Sequence, residues 1–115
     1  MKLGIVGSRN FSDYKRFQEL LRASIDLTQV TMIVSGGAKG VDSMARRFAK
    51  QEKLPIKEFL PDYARHKRGA PLKRNSQIVE FSDKVIAFPT KTSSGTYDSI
   101  RKAKIKNNLH SVIYV

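Results

Sequence analysis

Five short apolar runs alternate with four stretches of helical periodicity, and this alternation constrains the fold more than any other feature of the chain. The runs are residues 3–6 (LGIV), 31–35 (TMIVS), 56–60 (IKEFL), 84–88 (KVIAF) and 111–115 (SVIYV). They are short and mostly non-alternating, the pattern of strands covered on both faces. After the first, Phe17, Leu20, Leu21 and Ile25 recur at helical spacing, with Lys15, Arg16, Glu19 and Arg22 on the other face. Ser12 or Asp13 suits the N-cap position of that helix. Val41, Ala45, Phe48 and Ala49 predict a second helix ending near residue 53. A third is predicted from about Leu72 to Phe81, with Leu72, Ile78 and Val79 inward, and a fourth from about Thr96 to Lys106. The segment PDYARHKRGAP, rich in turn formers and positive charge, reads as a long loop.

The order is therefore βαβαβαβαβ. Right-handed crossovers turn it into a parallel sheet with helices on both faces. The expected fold class is α/β: a Rossmann-like three-layer sandwich with a five-stranded parallel sheet in the order 3-2-1-4-5. A length of 115 residues fits one domain, residues 1–115. In that order the sheet reverses between strands 1 and 4, and a crevice opens at their carboxyl ends.

Composition narrows the chemistry. There are no cysteines, which removes disulfides, thiolate metal sites, iron–sulfur clusters and cysteine nucleophiles. No apolar run approaches membrane-spanning length. The opening KLGIVG is too short and too early for a signal peptide, so a cytoplasmic location without membrane contact is expected. The formal net charge is +12, from 22 Lys+Arg against 10 Asp+Glu, and it favours anionic partners. Two runs concentrate it: Arg65, Lys67, Arg68, Lys73 and Arg74, then Arg101, Lys102, Lys104 and Lys106.

Every βα loop of such a sheet lies at its carboxyl edge. That edge would receive Gly7-Ser8-Arg9, the segment Ser35-Gly36-Gly37-Ala38-Lys39-Gly40, the basic loop before Arg74-Asn75, and the stretch Thr92 to Thr96. Glycine lets backbone approach a ligand closely. Helix N-termini offer free N–H groups and a positive dipole end, which suits phosphate. The Walker pattern is absent, and neither GIVG nor GGAKG reads as G-x-G-x-x-G. Asp26 falls on the first helix, not at the end of strand 2. Neither a P-loop NTPase nor an ordinary dinucleotide dehydrogenase fits.

The segments GSRNF, VSGGAKGVDSMA, FLPDY, KRN and SSGT, in this order, resemble the SLOG superfamily, named for the DNA-processing protein DprA (Smf) and the LOG nucleotide hydrolases. The nearest likeness is to its small YspA-like branch. The resemblance covers nearly the whole chain and implies a Rossmann-like domain binding nucleotides or nucleotide-derived ligands at these loops. It carries two precedents, hydrolysis of a nucleotide N-glycosidic bond and binding of single-stranded DNA. Relatives often form dimers, so a homodimer is a further possibility to test. The hydrolase pattern has a Gly-Gly-x-Gly-Thr loop with a glutamate three residues after the threonine. Here the loop is TSSGTYDS and Ser99 holds the glutamate position. Asp98, one residue earlier, would be turned about 100° away on a helix. General-acid help to a leaving base then has no evident source, and no catalytic residue is assigned.

The expected ligand contacts are Gly7, Ser8 and Arg9; Ser35 to Gly40; Asp42; Arg74 and Asn75; and Ser94, Gly95 and Thr96. Each has a plainer reading. Gly36, Gly37 and Gly40 would otherwise be a turn needing positive φ, Lys39 a solvated charge, and Ser94 to Thr96 a simple helix cap. Asp42 either holds a ribose hydroxyl or shapes the glycine loop by a hydrogen bond. Arg74 and Asn75 alone would be a solvated face; the resemblance makes them site residues. The run Arg101 to Lys106 reads as a solvated helix face. His66 and His110 suggest no catalytic set or metal site, and no cofactor is expected. Small-ligand binding, nucleic-acid binding across the same crevice, and N-glycoside hydrolysis by relocated groups remain the three readings.

Overall fold

The computed structural model describes residues 1–115. Strands β1 (Lys2–Gly7), β2 (Met32–Ser35), β3 (Ile56–Glu58), β4 (Lys84–Phe88) and β5 (Leu109–Val112) form one parallel sheet. Their spatial order is β3-β2-β1-β4-β5, the Rossmann-like order expected. Helices α1 (Tyr14–Ser24) and α2 (Val41–Gln51) cover one face; α4 (Ala70–Phe81) and α5 (Ser94–Lys106) cover the other.

The pleat divides each strand between two cores. Leu3, Ile5, Ile33, Ile86 and Phe88 pack with Phe17, Leu21 and Phe48 of the first helix pair. Val6, Val34, Val85 and Ala87 pack with Ile78, Val79, Ile100 and Ala103 of the second. Consecutive residues of one strand thus serve opposite layers, so the runs are apolar throughout. Asp13 caps α1, accepting a hydrogen bond from the Arg16 N–H at 3.1 Å.

Four local expectations need correction. The predicted loop before α4 contains a short helix, α3 (Tyr63–His66), capped by Asp62, then a 3-10 turn over Lys67–Gly69. Helix α4 begins at Ala70, because Pro71 lacks only an N–H that the first turn leaves unpaired in any case. Leu72, in the first turn, stands at the crevice and is 51% exposed, whereas Ala70 is buried. Helix α5 begins at Ser94, two residues early. Strand β5 also begins two residues early: Asn107 adopts a left-handed cap (φ 62°), and the buried Asn108 amide donates to the Val79 and Ser82 carbonyls. Residues 113 and 115 still run beside β4, donating to Ala87 and Pro89.

Candidate functional site

Strand β1 ends beside β4 where the strand order reverses, and there the loops enclose a crevice of about 550 Å3. Its volume lies within the range of small-molecule pockets. Ser8, Arg9 and Asn10 line it from the loop after β1, Ala38 and Asp42 from the start of α2, Arg74 and Asn75 from α4. Thr90, Thr92 and Ser93 line it from the loop after β4, and Ser94, Gly95, Thr96, Asp98, Ser99 and Arg101 from α5. The apolar contribution is small: Val6, Pro71, Leu72 and Ile78. Gly7 completes the end of β1.

The glycine loop is held by the protein itself. Gly37 (φ 71°) and Gly40 (φ 69°) take the left-handed conformations that let the chain turn from β2 into α2. A Cβ on Gly40 would overlap the Ser8 carbonyl and the Arg9 backbone. That contact brings the Val41 N–H onto the Ser8 carbonyl at 3.1 Å. The Ala38 N–H donates to Asp42 Oδ2 at 3.1 Å, so Asp42 shapes the loop. Arg74 Nη1 donates to the Gly36 carbonyl at 2.7 Å. Groups that the sequence offers to a ligand are here bound to one another.

Burial governs the ionisation of this cluster. Asp42 is 8% exposed and Arg74 7%. Desolvation pushes the Asp42 carboxyl up from its ordinary value, outweighing the Ala38 N–H, the Arg74 charge, the Ser35 hydroxyl and the Arg9 charge. Desolvation likewise lowers Arg74, opposed by Asp42, yet an arginine so shifted stays protonated. Ser35 is fully buried at the end of β2, its hydroxyl near enough to favour the Asp42 carboxylate but without a partner at hydrogen-bond geometry.

Arg74 and Asn75 bridge the two sides of the crevice. Arg74 Nε donates to Asn75 Oδ1 at 3.1 Å. The Asn75 amide donates onward to the Gly95 carbonyl and to Asp98 Oδ2, each at 3.2 Å. One dipeptide on α4 therefore fixes the loop after β2 against the first turn of α5.

The N-terminus of α5 is arranged differently. The Ser93 hydroxyl, in the capping position, is drawn back to Thr90, accepting its N–H at 2.7 Å and making no cap bond to the helix. The N–H groups of Gly95 and Thr96 have no acceptor in the protein. A Cβ built on Gly95 meets no atom within 4 Å. Behind them a chain of hydroxyls joins Ser93 to Thr90 at 2.7 Å and Thr90 to Ser8 at 3.3 Å.

A family model described as "YAcAr: YspA, cpYpsA-related SLOG family" matches residues 1–66. The chain belongs to that family. No curated protein matches. Among solved structures, the DNA processing protein A of Helicobacter pylori, studied for its single-stranded DNA binding mode, aligns with a TM-score of 0.73 and 24% identity. The alignment covers 95% of this chain and 63% of that one, so the chain spans less than two thirds of the relative, and at that identity the likeness is one of fold.

For this SLOG-family chain, the structure gathers most of the sequence-predicted site residues and separates a few. Gly7, Ser8, Arg9, Ala38, Asp42, Arg74, Asn75, Ser94, Gly95 and Thr96 line the crevice. Gly36, Gly37 and Lys39 line an outer groove beside it. Ser35 and Gly40 line neither, being used for packing. Asp98 is not turned away: Asn75 and Lys102 (Nζ at 2.8 Å) hold its carboxylate towards α4, so it and Ser99 both face the crevice. The run Arg101 to Lys106 is only partly solvated. Lys102 also donates to the Leu72 carbonyl at 2.8 Å, and Lys106 reaches the Glu80 carbonyl and carboxylate at 2.7 and 2.9 Å. Sequence reading missed Thr90, Ser93 and Asn10. The pair Thr90 and Ser93, just past a strand and three residues apart, was the available signal.

Proposed function

We propose that the crevice binds a nucleotide or nucleotide-derived small molecule, with a phosphate at the N-terminus of α5. The observation that carries this reading is the pair of unpartnered N–H groups of Gly95 and Thr96 beside a glycine that leaves open space. Two free donors at the positive end of a thirteen-residue helix suit a phosphate oxygen. Arg9, exposed and without an acidic partner, adds charge, and the Ser94 and Thr96 side chains add hydroxyls. Asp98, held ion-paired to Lys102, is an acceptor placed for a ribose hydroxyl.

Gly95→Val tests this directly. The side chain has room in the folded protein but would occupy the space of the phosphate. Calorimetric titration with mononucleotides should show about a hundredfold loss of affinity, about 2.7 kcal/mol, with an unchanged urea midpoint. Equal affinity in the variant would remove the phosphate from α5.

A second reading, binding of single-stranded nucleic acid, is favoured by Arg65, Lys67, Arg68 and Lys73, all exposed and free of acidic partners. The likeness to a protein described by its single-stranded DNA binding points the same way. Salt separates the two. For a strand, log affinity should fall by about 0.7 per neutralised phosphate for each unit of log salt; a mononucleotide should respond modestly. Hydrolysis is the third reading, and nucleoside monophosphates are expected to release no free base. Release abolished by Asp98→Asn would make that carboxylate the acid.

A further inference from the structure

Beyond the crevice wall lies a second depression of about 430 Å3, and Arg9, Asn10, Ala38 and Arg74 line both. The two therefore adjoin, along a waist that carries the free Arg9 guanidinium. The outer groove has a character of its own. Its side is apolar, formed by Leu60, 64% exposed, and Pro61. Its far end carries Lys39, which makes no ion pair or hydrogen bond. The nearby Glu58 does not oppose this charge, because Arg46 holds its carboxylate at 2.8 and 3.0 Å. The inner crevice repeats the scheme, with Pro71, Leu72 and Ile78 as its apolar part.

We propose that the outer groove is a second subsite and that the ligand is a dinucleoside diphosphate or a compound of that class. One nucleoside and its phosphate lie in the crevice, the second phosphate lies at Arg9, and the second ring lies against Leu60 and Pro61. An apolar surface on each side of a cationic waist matches a molecule with a ring at each end and a diphosphate between them. This rests on the nucleotide reading of the crevice.

The test measures affinities of the full chain for AMP, GMP, CMP and UMP, and for the four matching symmetric dinucleoside diphosphates. The dinucleoside diphosphate of whichever nucleotide binds should bind at least tenfold more tightly. Leu60→Glu, on an exposed position, should abolish that gain and leave mononucleotide affinity unchanged. Equal affinities for the two classes, or a gain that survives Leu60→Glu, would overturn the second subsite while the crevice reading stands. Binding of neither class would overturn both. A twelve-residue oligothymidylate that binds more tightly than every dinucleotide, with a steep salt slope, would assign the groove to a nucleic-acid strand.

Discussion

Helices α2 and α5 both begin at the carboxyl edge, α2 after the glycine loop GGAKG and α5 after PTKTS, and in each the second and third N–H groups have no acceptor in the protein, yet one N-terminus is packed against backbone and the other opens onto free space. At α2 the Ser8 carbonyl takes the Val41 N–H, the Asp42 carboxylate takes the Ala38 N–H, and Arg74 holds the Gly36 carbonyl. At α5 the capping hydroxyl turns back to Thr90, and a Cβ on Gly95 would meet no atom within 4 Å. The richer glycine loop is thus the more structural of the two. Glycine density reports how tightly backbone packs, and that backbone can pack against the protein as well as against a ligand.

Substitution of the paired glycines should break this comparison most visibly. Gly40→Ala places a Cβ in the Ser8 carbonyl at a left-handed φ of 69°. A loss of about 2–4 kcal/mol in urea unfolding is expected from strain and overpacking together. Gly95→Ala, in contrast, should leave stability within about 1 kcal/mol of the parent or raise it slightly. Equal effects at the two positions would refute the distinction between a closed and an open terminus.

Next in size is Arg74→Met. It removes the bond to Gly36 and the cation nearest the buried Asp42 carboxyl, and a loss of about 2–3 kcal/mol is expected. The same change in an Asp42→Asn background should be milder, because no buried charge is then left behind. A double-mutant cycle with zero coupling would show that the two side chains act independently.

A smaller effect lies in the pH dependence of stability. Asp42 has a raised pKa in the fold, so the native state holds its proton more tightly than the unfolded chain does. Its stabilising contribution is complete below the ordinary value of 3.8 and is lost as pH rises through the raised native value. Asp42→Asn should flatten the fall in stability above pH 3.8, as followed by thermal melts from acid to neutral pH. A profile identical to the parent's would show that Asp42 does not titrate differently in the two states.

The smallest effect is expected far from both termini. Lys106→Ser loses the tie from α5 to Glu80, a half-exposed pair, and should lower stability by no more than about 1 kcal/mol. Ligand affinity should not change, since Lys106 lines neither depression.

Much of this architecture is legible in the chain. The periods of two classes of segment and the short connections suffice for a parallel sheet covered on both faces, because such strands must be apolar throughout. The order 3-2-1-4-5 is the Rossmann-like choice among the orders this alternation allows, and the structure has it. The cap at Asp13 and the turn glycines at 37 and 40 follow from local rules, since each concerns residues within a few positions. Leu72 was misplaced although it shares the helical phase of Val79, seven residues on: it stands in the first turn of α4, where it lines the crevice. Asp98 was misjudged because its direction depends on Asn75, 23 positions earlier.

The sequence by itself determined the layers, the edge at which all the loops meet and the basic character of that edge. The tertiary structure alone decided which loop is occupied by the protein and which is left free. The closing contacts join residues far apart in the chain: Arg74 reaches Gly36 across 38 positions, and Thr90 reaches Ser8 across 82. No local period or motif encodes them. They arise because a parallel sheet brings every βα loop to one edge, where a few buried side chains compete for the same N–H and carbonyl groups.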